Sequence, residues 1–143
     1  MTIIDLLIDH EGLRLKPYRD SVNKLTIGIG RNLDDVGLTE NEARYLLAND
    51  LGRVRMELDD ALPWWRNLDD VRQMVLIDMG FNLGVLTPPG EAKLLTFVTT
   101  LGLIRDGRYS EAADQMLKTK WAAQVGKRAK RLAAMMRTAS VEV

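Results

Sequence analysis

The segment from Arg14 to Leu33 constrains the fold most, because its pattern favours strands while the segments on either side favour helices. Its apolar residues follow a period of two, and Leu25 to Ile29 is typical of a β-strand. A turn from Asp20 to Lys24 precedes this strand, and Asn23 is the residue there best suited to a left-handed conformation. One hairpin among helices predicts an α+β fold that is mostly helical.

Helical patterns account for most of the remaining chain. Thr2 to Asp5 has the form of a capping box, and the helix that it opens should end near Glu11, because Gly12 is a good C-terminal cap. A second capping box, Thr39 to Glu42, opens a helix that we expect to reach about Leu58. Further helices are predicted around 68–79 and over 93–106, 110–118 and 127–137.

Composition limits the chemistry that the chain can carry. Of its 143 residues 46% are hydrophobic and 28% charged, which is typical of a folded globular protein. The sequence has no cysteine and one histidine, His10, so we expect no disulfide, no metal site and no cofactor. Its first residues lack the features of a signal peptide, and no apolar run is long enough to span a bilayer. We therefore expect synthesis in the cytoplasm and no membrane insertion.

The formal net charge of zero hides a basic segment near the C-terminus. Between Gln115 and Thr138 there are seven basic residues and no acidic one: Lys118, Lys120, Lys127, Arg128, Lys130, Arg131 and Arg137. Such a surface could attract an anionic polymer, either nucleic acid or a cell wall. A solvated helical face explains the same pattern equally well.

Two carboxylates and a hydroxyl lie within the first thirty residues. Glu11 falls at a helix end, Asp20 in the turn and Thr26 on the glycine-flanked strand. Two carboxylates on separate rigid elements are the working parts of a glycoside hydrolase, since one protonates the leaving oxygen while the other handles water or the sugar cation. Gly28 and Gly30 would weaken a strand unless something approaches its backbone closely, as a sugar chain would. Taken singly, either carboxylate is most often a solvated surface residue.

Two blocks of sequence, in order and correctly separated, carry a family resemblance. They comprise His10 to Lys16, Tyr18 to Asp20 and Thr26 to Gly30, then Phe81 to Gly84, Glu111 to Ala113, Lys120-Trp121, Arg128 to Arg131 and Met136 to Thr138. Together they resemble the phage-type lysozymes, the muramidase endolysins typified by those of the T-even coliphages. The resemblance covers nearly the whole chain. In that family a small β-containing lobe and a helical lobe enclose a glycan cleft and are joined by a long helix.

The resemblance therefore implies one lysozyme-like domain over residues 1–143. Its parts would be a β-hairpin lobe at about 12–38, a connecting helix at about 39–60, and a helical C-terminal lobe. That last lobe would comprise about 61–143 together with the N-terminal helix.

The resemblance also implies a reaction and its catalytic residues. Glu11 resembles the general acid, Asp20 the carboxylate that positions or activates water, and Thr26 the hydroxyl that holds this water on the opposite face of the sugar. The implied reaction is hydrolysis of the β-1,4 bond between N-acetylmuramic acid and N-acetylglucosamine in peptidoglycan. The family inverts configuration, which suits carboxylates about 6.5–9.5 Å apart.

Three further residues are implied to bind substrate. Gly30 belongs to the glycine-flanked strand motif, and Asn82 matches an amide that reaches into the family's cleft. Arg128 matches an arginine near the acid that would hold it in place.

Five features depart from the family pattern, and one of them is the short segment between Gly30 and Thr39. Arg31 stands where a histidine is usual, so any local salt bridge there must be rebuilt, and Asn23 replaces a turn glycine. Ala139 follows Arg137-Thr138 where glycine is usual, and residues 87–90 lengthen a loop. These changes affect the expected glycan preference rather than the expected activity.

Two other functions fit parts of the pattern. A lysozyme fold that binds peptidoglycan without cutting it is disfavoured, because Glu11, Asp20 and Thr26 are all present. A nucleic-acid-binding helical protein should be basic overall, and this chain is neutral. We therefore expect a monomeric muramidase that acts on peptidoglycan glycan strands, and not on nucleic acid. It would reach the wall after release from the host cytoplasm, through a separate holin-type pore protein if a phage encodes it.

Overall fold

The computed structural model of the chain describes residues 1–91 and 93–142. Within these residues there are seven α-helices, two 3-10 helices and a three-stranded antiparallel sheet. This arrangement confirms the predicted α+β class and the predicted mostly helical, lysozyme-like fold. The chain forms two compact units, Met1–Leu47 and Ala48–Val143. Helix α1 belongs to the first unit, whereas the sequence led us to group it with the helical lobe, and that grouping stays a prediction.

The first unit begins with helix α1, Ile3–Glu11. The predicted capping box is confirmed, since the Asp5 amide donates to Thr2 Oγ1 (3.1 Å) and the Thr2 amide donates to Asp5 Oδ2 (2.8 Å). Gly12 ends the helix with a positive φ of 79°, a conformation that costs glycine little. Glu11 is therefore the last helical residue, as predicted.

Three strands follow, β1 (Arg14–Arg19), β2 (Leu25–Gly28) and β3 (Arg31–Asn32), and β2 pairs with both neighbours. The hairpin was predicted, and Asn23 in its turn has the expected left-handed conformation, with φ 63°. Strand β3 was not predicted, because two residues carry no alternating pattern. Gly28 and Gly30 both have positive φ, and their freedom allows the sharp reversal between β2 and β3.

Helix α2, Glu40–Ala61, contains the boundary between the two units. Its first turn has the predicted reciprocal capping, in which the Thr39 amide donates to Glu42 Oε1 (2.9 Å) and the Glu42 amide to Thr39 Oγ1 (3.1 Å). The helix continues one turn beyond the predicted end near Leu58, because Pro63 stops it only after Ala61.

The second unit is helical. After the 3-10 helix Trp65–Asn67 it contains α3 (Asp70–Leu83), the 3-10 helix Lys93–Thr96, α4 (Val98–Arg105), α5 (Tyr109–Leu117), α6 (Lys120–Val125) and α7 (Lys127–Thr138). The single helix predicted over 93–106 was wrong, since a 3-10 turn precedes α4. The helix predicted over 110–118 is confirmed with its bounds shifted by one residue, since α5 is Tyr109–Leu117. Helix α6 was missed, although Thr119 caps it by accepting from the Ala122 amide (3.1 Å).

The core of the second unit contains buried apolar side chains from several helices, among them Leu58, Trp65, Leu76, Met79, Leu94, Ile104, Met116, Trp121 and Met136. Trp65 is buried in this core and donates from Nε1 to Asp59 Oδ1 (2.7 Å). No helix within the described ranges combines the length and the apolar character needed to cross a membrane.

Candidate active site

Glu11 is the last residue of α1, and its exposed side chain lies against Gly30. A Cβ atom at Gly30 would be 2.7 Å from Glu11 Oε2 and 3.0 Å from Cδ, closer than such atoms approach in proteins. The absence of a side chain at Gly30 therefore makes room for the carboxylate. Among the described residues of the first unit, no hydrogen-bond donor or cation contacts this carboxylate, so this unit leaves it free to serve an incoming ligand.

Asp20 is oriented by the backbone of its own turn. Its Oδ1 accepts hydrogen bonds from the amides of Val22 (3.0 Å) and Lys24 (2.8 Å). The main chain closes the same turn, since the Asp20 amide donates to the Lys24 carbonyl (3.0 Å). No donor within the first unit, residues 1–47, contacts Oδ2. One carboxylate oxygen is thus fixed and the other is available.

Thr26 lies on β2 opposite Tyr18 and Asn32, and it is only 3% exposed. Its Oγ1 donates to the Lys24 carbonyl (2.9 Å). A hydroxyl has one hydrogen, so the lone pairs of Oγ1 remain free to accept a hydrogen bond. The amide and carbonyl of Lys24 therefore fix both Asp20 and Thr26, which joins two of the predicted catalytic residues through a single residue.

Arg31 joins the sheet to the start of α2. Its two terminal guanidinium nitrogens, Nη2 and Nη1, contact the two oxygens of the Glu42 carboxylate (2.7 and 2.9 Å). Nη1 also donates to the Gly37 carbonyl (3.1 Å). The hydrogen bond from Arg31, followed by that from the Thr39 amide, lowers the pKa of Glu42 to about 2. A salt bridge is thus present at the position where this chain replaces the usual histidine.

Two more ion pairs hold the chain that follows β3. Lys24 Nζ lies 3.1 Å from Asp35 Oδ1, and Arg19 lies 3.2 Å from Asp34 Oδ2. Hydrogen bonds from Lys24 and then Asn32 lower the pKa of Asp35 below its usual range. These contacts brace the hairpin that carries the two catalytic candidates Asp20 and Thr26.

Asn82 and Arg128, the remaining candidates, belong to the second unit, and each has its own partner there. Asn82 Oδ1 accepts from Trp121 Nε1 (2.8 Å), which leaves the amide NH2 of Asn82 free to donate. Arg128 donates from Nε to Asp78 Oδ1 (2.8 Å). The Trp121 contact was missed from the sequence, although a buried indole N–H needs an acceptor.

The basic segment is partly neutralised within the second unit. Arg128 pairs with Asp78, and Arg137 pairs with Asp114 (2.6 Å). The hydrogen bond from Arg137 lowers the pKa of Asp114 below its usual range. Two of the seven basic residues therefore carry structural ion pairs, which reduces the charge available to attract a polyanion.

The site thus offers an unpaired carboxylate at a helix end, a second carboxylate with one free oxygen, and a hydroxyl with free lone pairs. The model of the family described as phage lysozyme matches residues 8–139, a range that includes all six candidate residues. The chain belongs to the phage lysozyme family. As a member of this family it is a glycoside hydrolase of the lysozyme type.

Individual phage lysozyme relatives are distant in sequence. "Probable T4-type lysozyme 1" of Dictyostelium discoideum is 27% identical over 98% of this chain and 96% of its own length. "Probable T4-type lysozyme 2" of the same organism is 25% identical over 96% and 95%. "Pre-baseplate central spike protein Gp5" of Enterobacteria phage T4 is 27% identical over 99% of this chain, which corresponds to 28% of that longer protein.

Proposed function

We propose that this lysozyme hydrolyses the β-1,4 bond between N-acetylmuramic acid and N-acetylglucosamine in peptidoglycan, by a single displacement that inverts configuration. The observation that carries the proposal is the difference in surroundings between the two carboxylates. Glu11 is unpaired beside Gly30, whereas Asp20 has one oxygen anchored and one free. An inverting glycosidase needs such a pair, an acid on one side of the bond and a base for water on the other.

Glu11 acts as the general acid that protonates the glycosidic oxygen. Its position at the end of α1 fixes the backbone, while the open space at Gly30 leaves the carboxylate free to turn towards a substrate. Within the described residues of the first unit, the carboxylate has no hydrogen-bonding or ionic partner, which leaves it available to the glycosidic oxygen.

Asp20 and Thr26 act on the attacking water. The free Oδ2 of Asp20 accepts a proton from the water, and Thr26 Oγ1 accepts the second hydrogen bond, because its own hydrogen is donated to the Lys24 carbonyl. Because both residues hydrogen-bond to the main chain of Lys24, these two acceptors keep a fixed position relative to each other. A water held by two acceptors presents its lone pair to the sugar, as direct displacement requires.

Substrate binding involves Gly30, Asn82 and Arg128. Gly30 offers close access to the backbone of the reversal between β2 and β3, and the free amide of Asn82 can donate to a glycan carbonyl or hydroxyl. We further propose that the enzyme works as a monomer and lyses the wall after its release from the cytoplasm. A separate holin-type protein would provide the pore where the gene is carried by a phage.

The test is an end-group assay on isolated peptidoglycan. The parent enzyme should release new reducing N-acetylmuramic acid ends. Glu11→Gln keeps the size and polarity of the side chain but cannot supply the proton, so the rate should fall by at least ~10²-fold.

Glu40→Gln is the matched control, since Glu40 is an exposed helical carboxylate whose one ion-pair partner among the described residues is Arg44 (3.2 Å). It should leave the rate unchanged. New N-acetylglucosamine ends, or a folded Glu11→Gln variant within severalfold of the parent, would contradict the proposal.

A further inference from the structure

The loop over residues 84–91, which contains the Thr87 to Gly90 motif, is ordered by its own backbone. Gly84 has φ 85°, and a Cβ atom there would lie 3.0 Å from the Thr87 carbonyl oxygen and 3.1 Å from that of Glu91. The loop therefore folds tightly back over Gly84. The Leu94 amide donates to the Gly84 carbonyl (3.1 Å) and closes the base of the loop.

A single side chain from another element holds the middle of this loop. Glu57, on the part of α2 in the second unit, accepts a hydrogen bond from Thr87 Oγ1 through its Oε1. Its other oxygen, Oε2, is buried without a hydrogen-bond donor among the described residues, and the nearest cation is Arg53 at 3.5 Å. The side chain of Glu57 is only 12% exposed.

Stability alone does not account for a carboxylate at this position. A buried carboxylate oxygen that lacks a full set of partners costs free energy, and an apolar or amide side chain of similar size would avoid that cost. Glu57 instead positions two neighbouring side chains, because it fixes Thr87 with one oxygen and attracts Arg53 with the other.

Both partners of Glu57 line one cavity of the second unit, with a volume of about 440 Å³. Asn82, Glu91 and Trp121 line the same cavity. Glu57 thus sets the position of a wall that faces the candidate substrate-binding residue Asn82, although Glu57 is not itself among the lining residues.

We propose that Glu57 is a positioning residue for substrate binding, which holds loop 84–91 and Arg53 as one wall of the cavity that contains Asn82. This role rests on the proposed function, because the occupant is the part of the peptidoglycan strand that Asn82 binds. The wall contributes to binding and not to the chemical step, since the proposed catalytic residues Glu11, Asp20 and Thr26 all belong to the first unit.

The experiment compares two substitutions of Thr87 that differ in one group. Thr87→Val keeps the shape of the side chain but removes the hydroxyl that contacts Glu57, whereas Thr87→Ser keeps the hydroxyl. For soluble peptidoglycan fragments we expect Thr87→Val to raise KM by about tenfold with kcat unchanged, because a hydrogen bond to a charged group is lost. Thr87→Ser should stay close to the parent. Glu57→Gln should raise KM in the same direction, because it weakens the attachment of both Thr87 and Arg53.

Hydrogen exchange provides a readout of the loop itself. Amides within 84–91 should exchange faster in Thr87→Val and Glu57→Gln than in the parent, while the amides of α5 and α7 keep their protection. Glu111→Gln is the control, since it removes an exposed carboxylate that pairs with Arg108 (2.5 Å) outside this cavity, and it should change neither KM nor loop exchange.

Two sets of results separate failure of this inference from failure of the proposed function. A parent enzyme that does not cleave peptidoglycan would refute the proposed function, and this inference with it. An active parent whose Thr87→Val variant keeps its KM, or loses kcat alone, would overturn the positioning role only. Equal damage by Thr87→Ser and Thr87→Val would likewise overturn it, because the hydroxyl would then not matter.

Discussion

Substituting alanine at Gly30 should separate catalysis from stability. The added methyl would lie 2.7 Å from Glu11 Oε2, so the carboxylate must move by about 1 Å to reach an ordinary contact of about 3.5–4.0 Å. The displaced group is the end of a flexible side chain, and moving it costs little folding energy. The backbone at Gly30 has φ 71°, which alanine adopts at a cost of about 1–2 kcal/mol.

Gly28→Ala is the matched control for this substitution. Gly28 has nearly the same backbone angle, φ 70°, but within the described part of the chain no atom outside its chain neighbours lies within 4 Å of the position that a Cβ would take. Both variants should therefore lose a similar free energy of unfolding, about 1–2 kcal/mol by urea denaturation. Only Gly30→Ala moves the proposed acid.

The assay is the rate of release of reducing ends from peptidoglycan, measured well below the unfolding transition. A misplacement of about 1 Å in a catalytic group can cost ~10²-fold, so Gly30→Ala should lose about that factor while Gly28→Ala stays within severalfold of the parent. Equal rates in the two variants would refute the argument that the space at Gly30 serves the carboxylate of Glu11.

Three further changes test separate parts of the structure. Ala139 caps α7 with a left-handed φ of 54°, so Ala139→Gly should raise the free energy of unfolding by about 0.5–1 kcal/mol, and a decrease in urea denaturation would contradict this. The pKa of Glu42 is about 2 when folded, below its usual 4.5, so its ion pair with Arg31 stabilises the protein above pH 4.5 and is lost as the pH falls towards 2. Glu42→Gln should flatten the pH dependence of unfolding in that window, and an unchanged slope would argue against the ion pair. Asp20→Asn keeps an acceptor for the amides of Val22 and Lys24 but loses the charge, so end-group release should fall by ~10²-fold with little change in melting temperature. Activity within severalfold of the parent would exclude Asp20 as the base.

The parts of the fold that were predicted correctly depend on local signals. The capping boxes at Thr2 and Thr39 each satisfy orphan amides within four residues, and the turn at Asn23 needs only a residue that tolerates positive φ. Such interactions join residues that are close together in the sequence, so a sequence pattern is enough to find them.

The parts that were missed depend on contacts beyond such patterns. Strand β3 has two residues and exists only because the chain reverses at Gly30 and pairs with β2. The break between the 3-10 helix Lys93–Thr96 and α4 follows packing in the second unit, where Leu94 is fully buried. Neither feature leaves a period that a short window of sequence would reveal.

The candidate site divides in the same way. Residue type, order and resemblance were enough to select Glu11, Asp20 and Thr26. The contacts that hold these side chains in place cannot be read from the sequence. Asp20 and Thr26 are held by the main-chain amide and carbonyl of Lys24. Nearly every residue type has these two groups, so the identity of residue 24 does not reveal the contacts. The bond from Thr87 to Glu57 joins residues 30 positions apart, and it requires the folded second unit.

The stereochemistry of the first product tests the central claim most directly. Proton NMR during the first turnovers on a soluble peptidoglycan fragment distinguishes the two anomers of the new N-acetylmuramic acid end before they interconvert. In the proposed mechanism, water held by Asp20 and Thr26 attacks the face opposite the leaving group, so we expect the α-anomer from the β-linked strand. Release of the β-anomer first would contradict direct displacement and would require a covalent intermediate on the enzyme.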